Sequence, residues 1–249
     1  MGRVRPGRAE RSMTITLADD ELLVAERFGP TVQGEGPSIG RRAVFIRLMN
    51  CNLTCKNCDT PYTWDRTRFD LDAEGTVASI SDLLAWVTVQ SVDLVVITGG
   101  EPLMQQRSLT ALAQGLADAG LEVEVETNGT IVPAPDLLAW VTRFNVSPKL
   151  SSFGAGMPIS KRIKGRVLGH FAASGLAVFK FVVSSIADLD EITELVADHD
   201  LAPVYVMPEG RTAEEVTRRL AEIAEPAIER GFHLTTRLHV LVWGDQRGR

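Results

Sequence analysis

Cysteine is scarce in this chain, with three in 249 residues, and all three fall within residues 51–58. No distant pair exists to staple the fold, which excludes a disulfide framework and points to metal or redox chemistry in a reducing compartment. Long hydrophobic runs are also missing. No apolar stretch reaches 18 residues, so no segment reads as a membrane-spanning helix. Basic side chains are the minority, 26 against 32 acidic for a net charge of −6, which argues against a surface built for nucleic acid or an anionic membrane. No repeat, low-complexity tract or Pro/Gly/Ser-rich linker divides the sequence. The N-terminus carries Arg3, Arg5, Arg8 and Arg11 without an apolar core, unlike a secretory signal. Residues 1–20 are therefore expected to form a disordered basic tail, with Met13 an alternative start. These exclusions predict a cytoplasmic protein whose partners are small molecules.

Apolar residues make up 45% of the chain, enough for one large core over residues 21–249 without a staple. Short β-branched runs at 43–49, 93–98, 121–126, 144–147, 178–183 and 203–207 predict strands, with a last strand at 238–243. Between them, amphipathic patterns predict helices at 81–90, 108–119, 135–142, 188–199 and 212–230. Ser81 and Ser108 are candidate N-caps, and Gly120 a stop. Thr212 and Glu215 have capping-box spacing, and Pro226 should kink or divide the last helix. Strand–helix alternation with near-continuous apolar strands predicts an α/β fold with a parallel sheet. About six units rather than eight make it a partial, incomplete TIM-like barrel.

Polar or glycine-rich clusters follow the strands: Asn50-Cys51, residues 98–102 (TGGEP), 126–129 (ETNG), 147–149 (SPK) and 207–210 (MPEG). Catalytic groups of parallel α/β folds gather beyond the carboxyl ends of the strands, so five such clusters at one end describe a site. Lys180 lies inside a predicted strand, where a charge needs a reason. The cysteines are spaced Cys51-x3-Cys55-x2-Cys58 on the loop after the first of these strands. Thiolates suit zinc, copper(I) or iron–sulfur clusters. Structural zinc usually takes four protein ligands, and His170, His199, His233 and His239 are scattered without ligand spacing. A [4Fe–4S] cluster normally takes four thiolates, so three leave one iron open for chemistry.

CxxxCxxC after the first strand resembles the motif of the radical S-adenosylmethionine (SAM) superfamily, although Asn57 stands where that motif usually has an aromatic residue. Further motifs appear in order: residues 28–36 (FGPTVQGEG), 45–47 (FIR), 51–55 (CNLTC), 58–60 (CDT), 98–102, 126–129 and 147–149. Together they resemble the 7-carboxy-7-deazaguanine synthase family, a group of radical SAM lyases, and span most of residues 25–210.

The resemblance implies a radical SAM fold with a cluster loop at 50–65, in which Cys51, Cys55 and Cys58 hold three irons of a [4Fe–4S] cluster and SAM chelates the fourth. It places SAM against Asn57, Cys58, Asp59, Gly99, Gly100, Glu101, Asn128, Ser147 and Lys149. Of these, Glu101 would accept from the methionyl ammonium, while Asn128, Ser147 and Lys149 suit helix caps and turns equally well. The implied substrate is 6-carboxy-5,6,7,8-tetrahydropterin, held by Val32, Gln33, Gly34, Glu35, Arg47 and Thr98. Arg47 interrupts an apolar strand, where an arginine needs a partner, and its fork suits a carboxylate. Thr60 is the implied Mg2+ ligand, at a site that forms with the substrate carboxylate. Radical ring contraction then yields 7-carboxy-7-deazaguanine and ammonia, for queuosine-type or other 7-deazapurine biosynthesis.

The same resemblance implies a homodimer and an external one-electron donor of flavodoxin or ferredoxin type; the charge balance and the lack of a long apolar run predict no direct contact to nucleic acid or membrane. Lys180 and Arg237 are left open between substrate and subunit contacts. In shorter members the terminal carboxylate reaches the substrate, a role that does not transfer to Arg249. The competing readings are another radical SAM enzyme, such as an activating or natural-product enzyme, and a zinc or iron–sulfur binding module.

Overall fold

The computed structural model describes residues 17–249. The basic stretch with its arginines and Met13 lies outside the described residues. Of the predicted tail, residues 17–20 are described: Leu17 packs beside Leu23, Met49 and Leu71, and Asp19 pairs with Arg107 at 2.5 Å.

Nine strands form one open sheet among the described residues: β1 (Glu21–Val32), β2 (Arg42–Leu48), β3 (Thr76–Ser79), β4 (Leu94–Gly99), β5 (Glu122–Thr127), β6 (Arg143–Val146), β7 (Ala177–Val183), β8 (Val204–Pro208) and β9 (His233–Leu234). Their order is β3-β1-β2-β4-β5-β6-β7-β8-β9. From β2 onward every pairing is parallel, whereas β1 pairs antiparallel with β2 and β3. Two free edges make this the partial barrel the α/β alternation predicts. The helices are α1 (Leu71–Glu74), α2 (Ile80–Thr88), α3 (Gln106–Asp118), α4 (Pro135–Leu138), α5 (Ile159–Arg162), α6 (Gly165–Ser174), α7 (Ala187–His199), α8 (Ala213–Glu229) and α9 (Leu238–Trp243).

Alternation along the strands separates the two faces of the sheet. Val95, Ile97, Val123, Val125, Phe144, Val146, Phe179 and Phe181 belong to the main apolar core, with Leu109, Leu112 and Leu116 of α3 and Leu189 and Ile192 of α7. Burying each such side chain stabilises the fold by roughly 1.5–3 kcal/mol. The other face is mixed. Ala43, Phe45, Leu94 and Val96 form a small inner cluster with Phe28, while Arg47, Thr98, Glu126 and Lys180 line a cavity. β5 shows the division most plainly: Val123 and Val125 enter the core, and Glu124 and Glu126 take the opposite face. It is therefore not the continuous apolar strand that the alternation first suggested. Glu124 is fully buried, and its carboxylate accepts from Ser38 Oγ at 2.6 Å, Arg143 Nη1 at 2.7 Å and Asn145 Nδ2 at 2.9 Å. A buried charge needs such a shell.

Several predicted elements are corrected. Residues 238–243 form α9 rather than a strand: Val240 N and Leu241 N both donate to Arg237 O, and Gly244 ends the turn at φ +72°. A six-residue apolar run has no period that separates strand from helix. The cap of α2 is Ser79, whose hydroxyl accepts from Asp82 N, not Ser81. α3 begins before Ser108, after a 3-10 turn at Pro102–Gln105. The 135–142 pattern yields only the short α4. α8 has its Thr212–Glu215 capping box and continues through Pro226, because Ile223 and Ala227 on either side of the proline are buried in the core. β1, β3, β9, α1, α5 and α6 are additional to the predicted elements.

Candidate active site

The cavity opens at the carboxyl ends of the parallel strands, and Arg47 (β2), Thr98 (β4), Glu126 (β5), Val182 (β7) and Met207 (β8) all face it. Ser147, just after β6, completes the ring.

On one part of the wall lies the cysteine loop. Asn50 starts it at φ +72°, and its backbone joins two neighbours: Asn50 N donates to Thr63 O, and Glu101 N donates to Asn50 O, each at 2.8 Å. Gly99 and Gly100 are required by this close approach. A Cβ on Gly99 would sit 2.3 Å from Leu48 O, and one on Gly100 would sit 2.0 Å from Asn50 O. Both glycines also line the cavity.

Cys51, Cys55 and Cys58 are free thiols on the cavity wall. Burial pushes Cys51 up to about 12 and raises Cys55 as well, so binding a metal there displaces protons. Leu53 N points at Cys51 Sγ (3.4 Å) and the Trp64 indole N–H at Cys58 Sγ (3.3 Å). Donors aimed at sulfur stabilise thiolates and cluster sulfides. Among the described residues no three His, Cys, Asp or Glu side chains converge on one metal ion. Three thiols that share one cavity wall fit a cluster in which each holds a separate iron.

Beyond the cysteines, Asn128 Nδ2 donates to Asn52 Oδ1 at 2.9 Å, and its Oδ1 accepts from Thr130 N and Oγ1. Lys149 Nζ donates to Ser147 Oγ at 3.0 Å. Asn57, Asp59, Thr60, Asn128, Ser147 and Lys149 all reach the cavity. Glu101 is placed differently from the expectation. It is fully buried behind the wall, where its carboxylate accepts from Leu103 N, Thr127 Oγ1 and Asn128 N. There it braces the turn that carries Asn128.

A second part of the wall is built of alternating charges. Glu126 accepts from Thr98 Oγ1 at 2.7 Å, Lys180 Nζ at 3.4 Å and Gln33 Nε2 at 3.5 Å. Lys180 donates to Glu35 at 2.5 Å, and Glu35 also accepts from Arg237 Nε at 3.2 Å. Arg237 continues to Asp59 at 2.7 Å and Gly210 O at 2.8 Å. The chain thus runs Glu126–Lys180–Glu35–Arg237–Asp59. Burial pushes the Glu35 carboxyl up, but Lys180 and Arg237 outweigh it and hold the group far below the carboxylate range. Burial likewise lowers Lys180, yet Glu126 and Glu35 raise it on balance. His239, 3.9 Å from Glu35, is lowered by burial.

Gly34 makes this arrangement possible, because a Cβ there would meet His239 Nδ1 at 2.1 Å. The 33–41 segment is tied to the C-terminal part by Gly34 O accepting from Leu238 N and by Gly36 N donating to Thr235 Oγ1, each at 2.9 Å. Val32, Gln33, Gly34 and Glu35 all line the cavity.

Arg47 lies on the same cavity, with its Nε donating to Glu26 at 2.7 Å. Of the residues around the site, Glu26, Tyr62, Trp64, Glu126 and His239 were absent from the expected set. The ETNG motif contained the signal for Glu126, and the tryptophan inside the cysteine loop that for Trp64. Nothing in the sequence near Glu26 singles it out.

An open parallel barrel carrying three free cysteines on the loop after its first parallel strand is the radical SAM fold. The 4Fe-4S single cluster domain model matches residues 32–133. The 7-carboxy-7-deazaguanine synthase of Pyrobaculum aerophilum is 40% identical over 235 residues, covering 93% of this chain and 99% of that one. That of Hyperthermus butylicus is 37% identical, covering 94% and 98%. Among solved structures, QueE from Escherichia coli superposes with a TM-score of 0.65 at 29% identity, over 88% of this chain and 95% of that one. SuiB from Streptococcus suis shares the fold at a TM-score of 0.56 and 14% identity, over 78% and 48% of the two chains. The chain belongs to the 7-carboxy-7-deazaguanine synthase family.

Proposed function

We propose that the protein contracts the ring of 6-carboxy-5,6,7,8-tetrahydropterin to 7-carboxy-7-deazaguanine, releasing ammonia. The observation that carries this reading is one cavity lined both by three free thiols and by Arg47, whose only side-chain hydrogen bond among the described residues is through Nε. Its two amine groups are thereby left to form a fork on a substrate carboxylate.

Cys51, Cys55 and Cys58 would hold three irons of a [4Fe–4S] cluster, leaving the fourth for the methionyl amine and carboxylate of SAM. When bound, this pair supplies reductive cleavage of SAM and hence a carbon radical that takes a hydrogen atom from the substrate. Lys149 offers a cation to the methionyl carboxylate, and Asn57, Asp59, Asn128 and Ser147 offer polar contacts along the same wall. Gln33, Thr98 and Glu126 form a hydrogen-bonded set suited to the donor and acceptor edge of a pterin. Glu35 stays ionised between its two cations and fixes the 33–35 backbone beside that edge. Phe28, Phe45, Leu53, Val182 and Met207 line the cavity and exclude water from the reacting carbon.

Thr60 is the proposed Mg2+ ligand. A single hydroxyl holds a hard cation weakly, so the site forms with the substrate carboxylate and waters. The reading extends to one core domain over residues 21–249 and a cytoplasmic setting, supported by composition and the lack of a linker, and to a homodimer and a flavodoxin- or ferredoxin-type electron donor, supported by family resemblance.

The test is anaerobic turnover of cluster-loaded protein with the carboxytetrahydropterin, SAM, a reductant and Mg2+, followed by mass spectrometry. We expect 7-carboxy-7-deazaguanine with SAM conserved. Fully loaded protein that cleaves SAM without forming this product would overturn the assignment.

A further inference from the structure

The carboxylate of Glu26 joins three side chains that no single segment of sequence connects. Its Oε1 accepts from Arg47 Nε and from Tyr62 OH, each at 2.7 Å, and its Oε2 accepts from Arg247 Nε at 2.9 Å. Glu26 and Arg47 face each other as a cross-strand pair of β1 and β2. Arg247 comes from the far end of the chain. It lies over the Tyr62 ring at 3.9 Å and also reaches Glu74 at 2.9 Å. From α9 the last residues therefore pass to the opposite edge of the sheet, with Gly248 beside Phe28 and Arg249 on the cavity wall. They form a strap fastened at Glu26.

We propose that Glu26 is a positioning residue through which seating of the C-terminal strap sets the aim of Arg47. The argument is one of competition for donors. With Arg247 in place, Oε2 is occupied and Arg47 contributes only Nε to Glu26. Without Arg247, that oxygen is free, and a carboxylate facing an arginine favours the two-bonded fork. The fork would take an amine group of Arg47 away from the cavity. A seated strap thus keeps both amine groups for the substrate carboxylate. Tyr62 holds Oε1 on its side and prevents the carboxylate from turning as a whole. The proposal rests on the reading that Arg47 binds that carboxylate.

The experiment compares Arg47→Ala, Glu26→Gln, Arg247→Ala and the Glu26→Gln/Arg247→Ala double variant in the cluster-loaded enzyme. Measured are KM for the carboxytetrahydropterin, KM for SAM, and binding of a tetrahydropterin lacking the carboxylate. Arg247 is half exposed, so its removal leaves the fold intact, and melting temperature and cluster absorbance verify this for each variant. We expect Arg247→Ala and Glu26→Gln each to raise KM for the carboxylated substrate about tenfold, the scale of one hydrogen bond to a charged group. KM for SAM and binding of the carboxylate-free pterin should not change. The double variant should be no worse than Glu26→Gln alone, because both changes act through one contact. Additive effects, or an equal loss for both pterins, would overturn the coupling. An Arg47→Ala effect confined to the carboxylated substrate, with Glu26→Gln and Arg247→Ala silent, would overturn the coupling while leaving the Arg47 reading intact. Unchanged KM in Arg47→Ala would remove both.

Discussion

Replacing Lys180 with methionine tests whether the alternating charge chain holds the site together. Methionine keeps most of the aliphatic stem and removes only the ammonium. The Lys180 side chain is 6% exposed, and its ammonium contacts Glu35 at 2.5 Å and Glu126 at 3.4 Å. Removing one member of a buried ion pair costs about 3–5 kcal/mol, because the other charge stays buried without its partner. Here Glu35 retains Arg237, and Glu126 retains Thr98 and Gln33, so the lower end applies, about 3 kcal/mol. For a domain of this size that is roughly 6–12 °C in Tm.

The pH dependence is the more discriminating readout. Glu35 is depressed below its ordinary 4.5, so the stability it contributes is present above that value and is lost as pH falls through its folded pKa. Lys180 is raised above its ordinary 10.5, so its contribution is present below that value and is lost as pH rises through its folded pKa. The variant's deficit should therefore be full between pH 4.5 and 10.5 and shrink on the acid side. Guanidinium unfolding of parent and variant from pH 7 to pH 3 measures it, and other carboxylates cancel in the difference. A deficit under about 1 kcal/mol at pH 7, or one independent of pH, would refute the charge chain as a stabilising device.

Three further perturbations test other parts of the site and fold. Gly100→Ala places a methyl group 2.0 Å from Asn50 O and 3.0 Å from Cys51 Cβ, so it should abolish cluster incorporation, read from iron content and visible absorbance. Trp64→Phe keeps an aromatic ring and removes the donor to Cys58 Sγ at 3.3 Å; the cluster potential should fall by about 20–60 mV, the equivalent of one hydrogen bond, in a redox titration monitored by electron paramagnetic resonance. Thr212→Ala removes the capping box of α8 and should cost about 1 kcal/mol in denaturant unfolding without changing cluster content.

What was legible in the sequence was local. The cysteine spacing, the glycines at the end of β4 and the polar turns after the parallel strands are contiguous motifs, and each lines the cavity or braces its wall. Misreadings arose where local pattern is ambiguous or tertiary packing overrides it. The run 238–243 is mostly apolar and too short for its period to separate strand from helix, and it follows Arg237, which is anchored to Glu35, Asp59 and Gly210 O. β1 was overlooked because Gly29-Pro30 interrupts its pattern, and its pairing with β2 absorbs the interruption in a register shift between Phe28 and Thr31. Glu101 differs again: it sits in a contiguous motif, but only the structure shows its carboxylate turned behind the wall.

The openness of the barrel explains why the least legible region contributes to the site. A closed small barrel fills its interior with its own side chains. In this sheet the edge strands β3 and β9 do not pair with each other, and the inner face of β5 and β7 presents Glu124, Glu126 and Lys180. Glu124 finds its counter-charge in Arg143 of β6, and Glu126 faces Lys180 of β7, while Lys180 takes a second carboxylate from outside the parallel strands. The 33–41 segment supplies Glu35 and Ser38, and the C-terminal third supplies Arg237 and His239. Loop and C-terminus then fasten to each other through Gly34 O and Thr235 Oγ1. The motifs thin out after residue 210 because this region carries none of the cysteine-loop chemistry; it closes the charge network that an open barrel leaves exposed. A substitution at Arg237 should therefore disturb both loops, the cysteine loop at Asp59 and the 33–35 loop at Glu35, lowering iron content as well as raising the substrate KM, since Arg237 donates to Asp59 at 2.7 Å and through Nε to Glu35 at 3.2 Å.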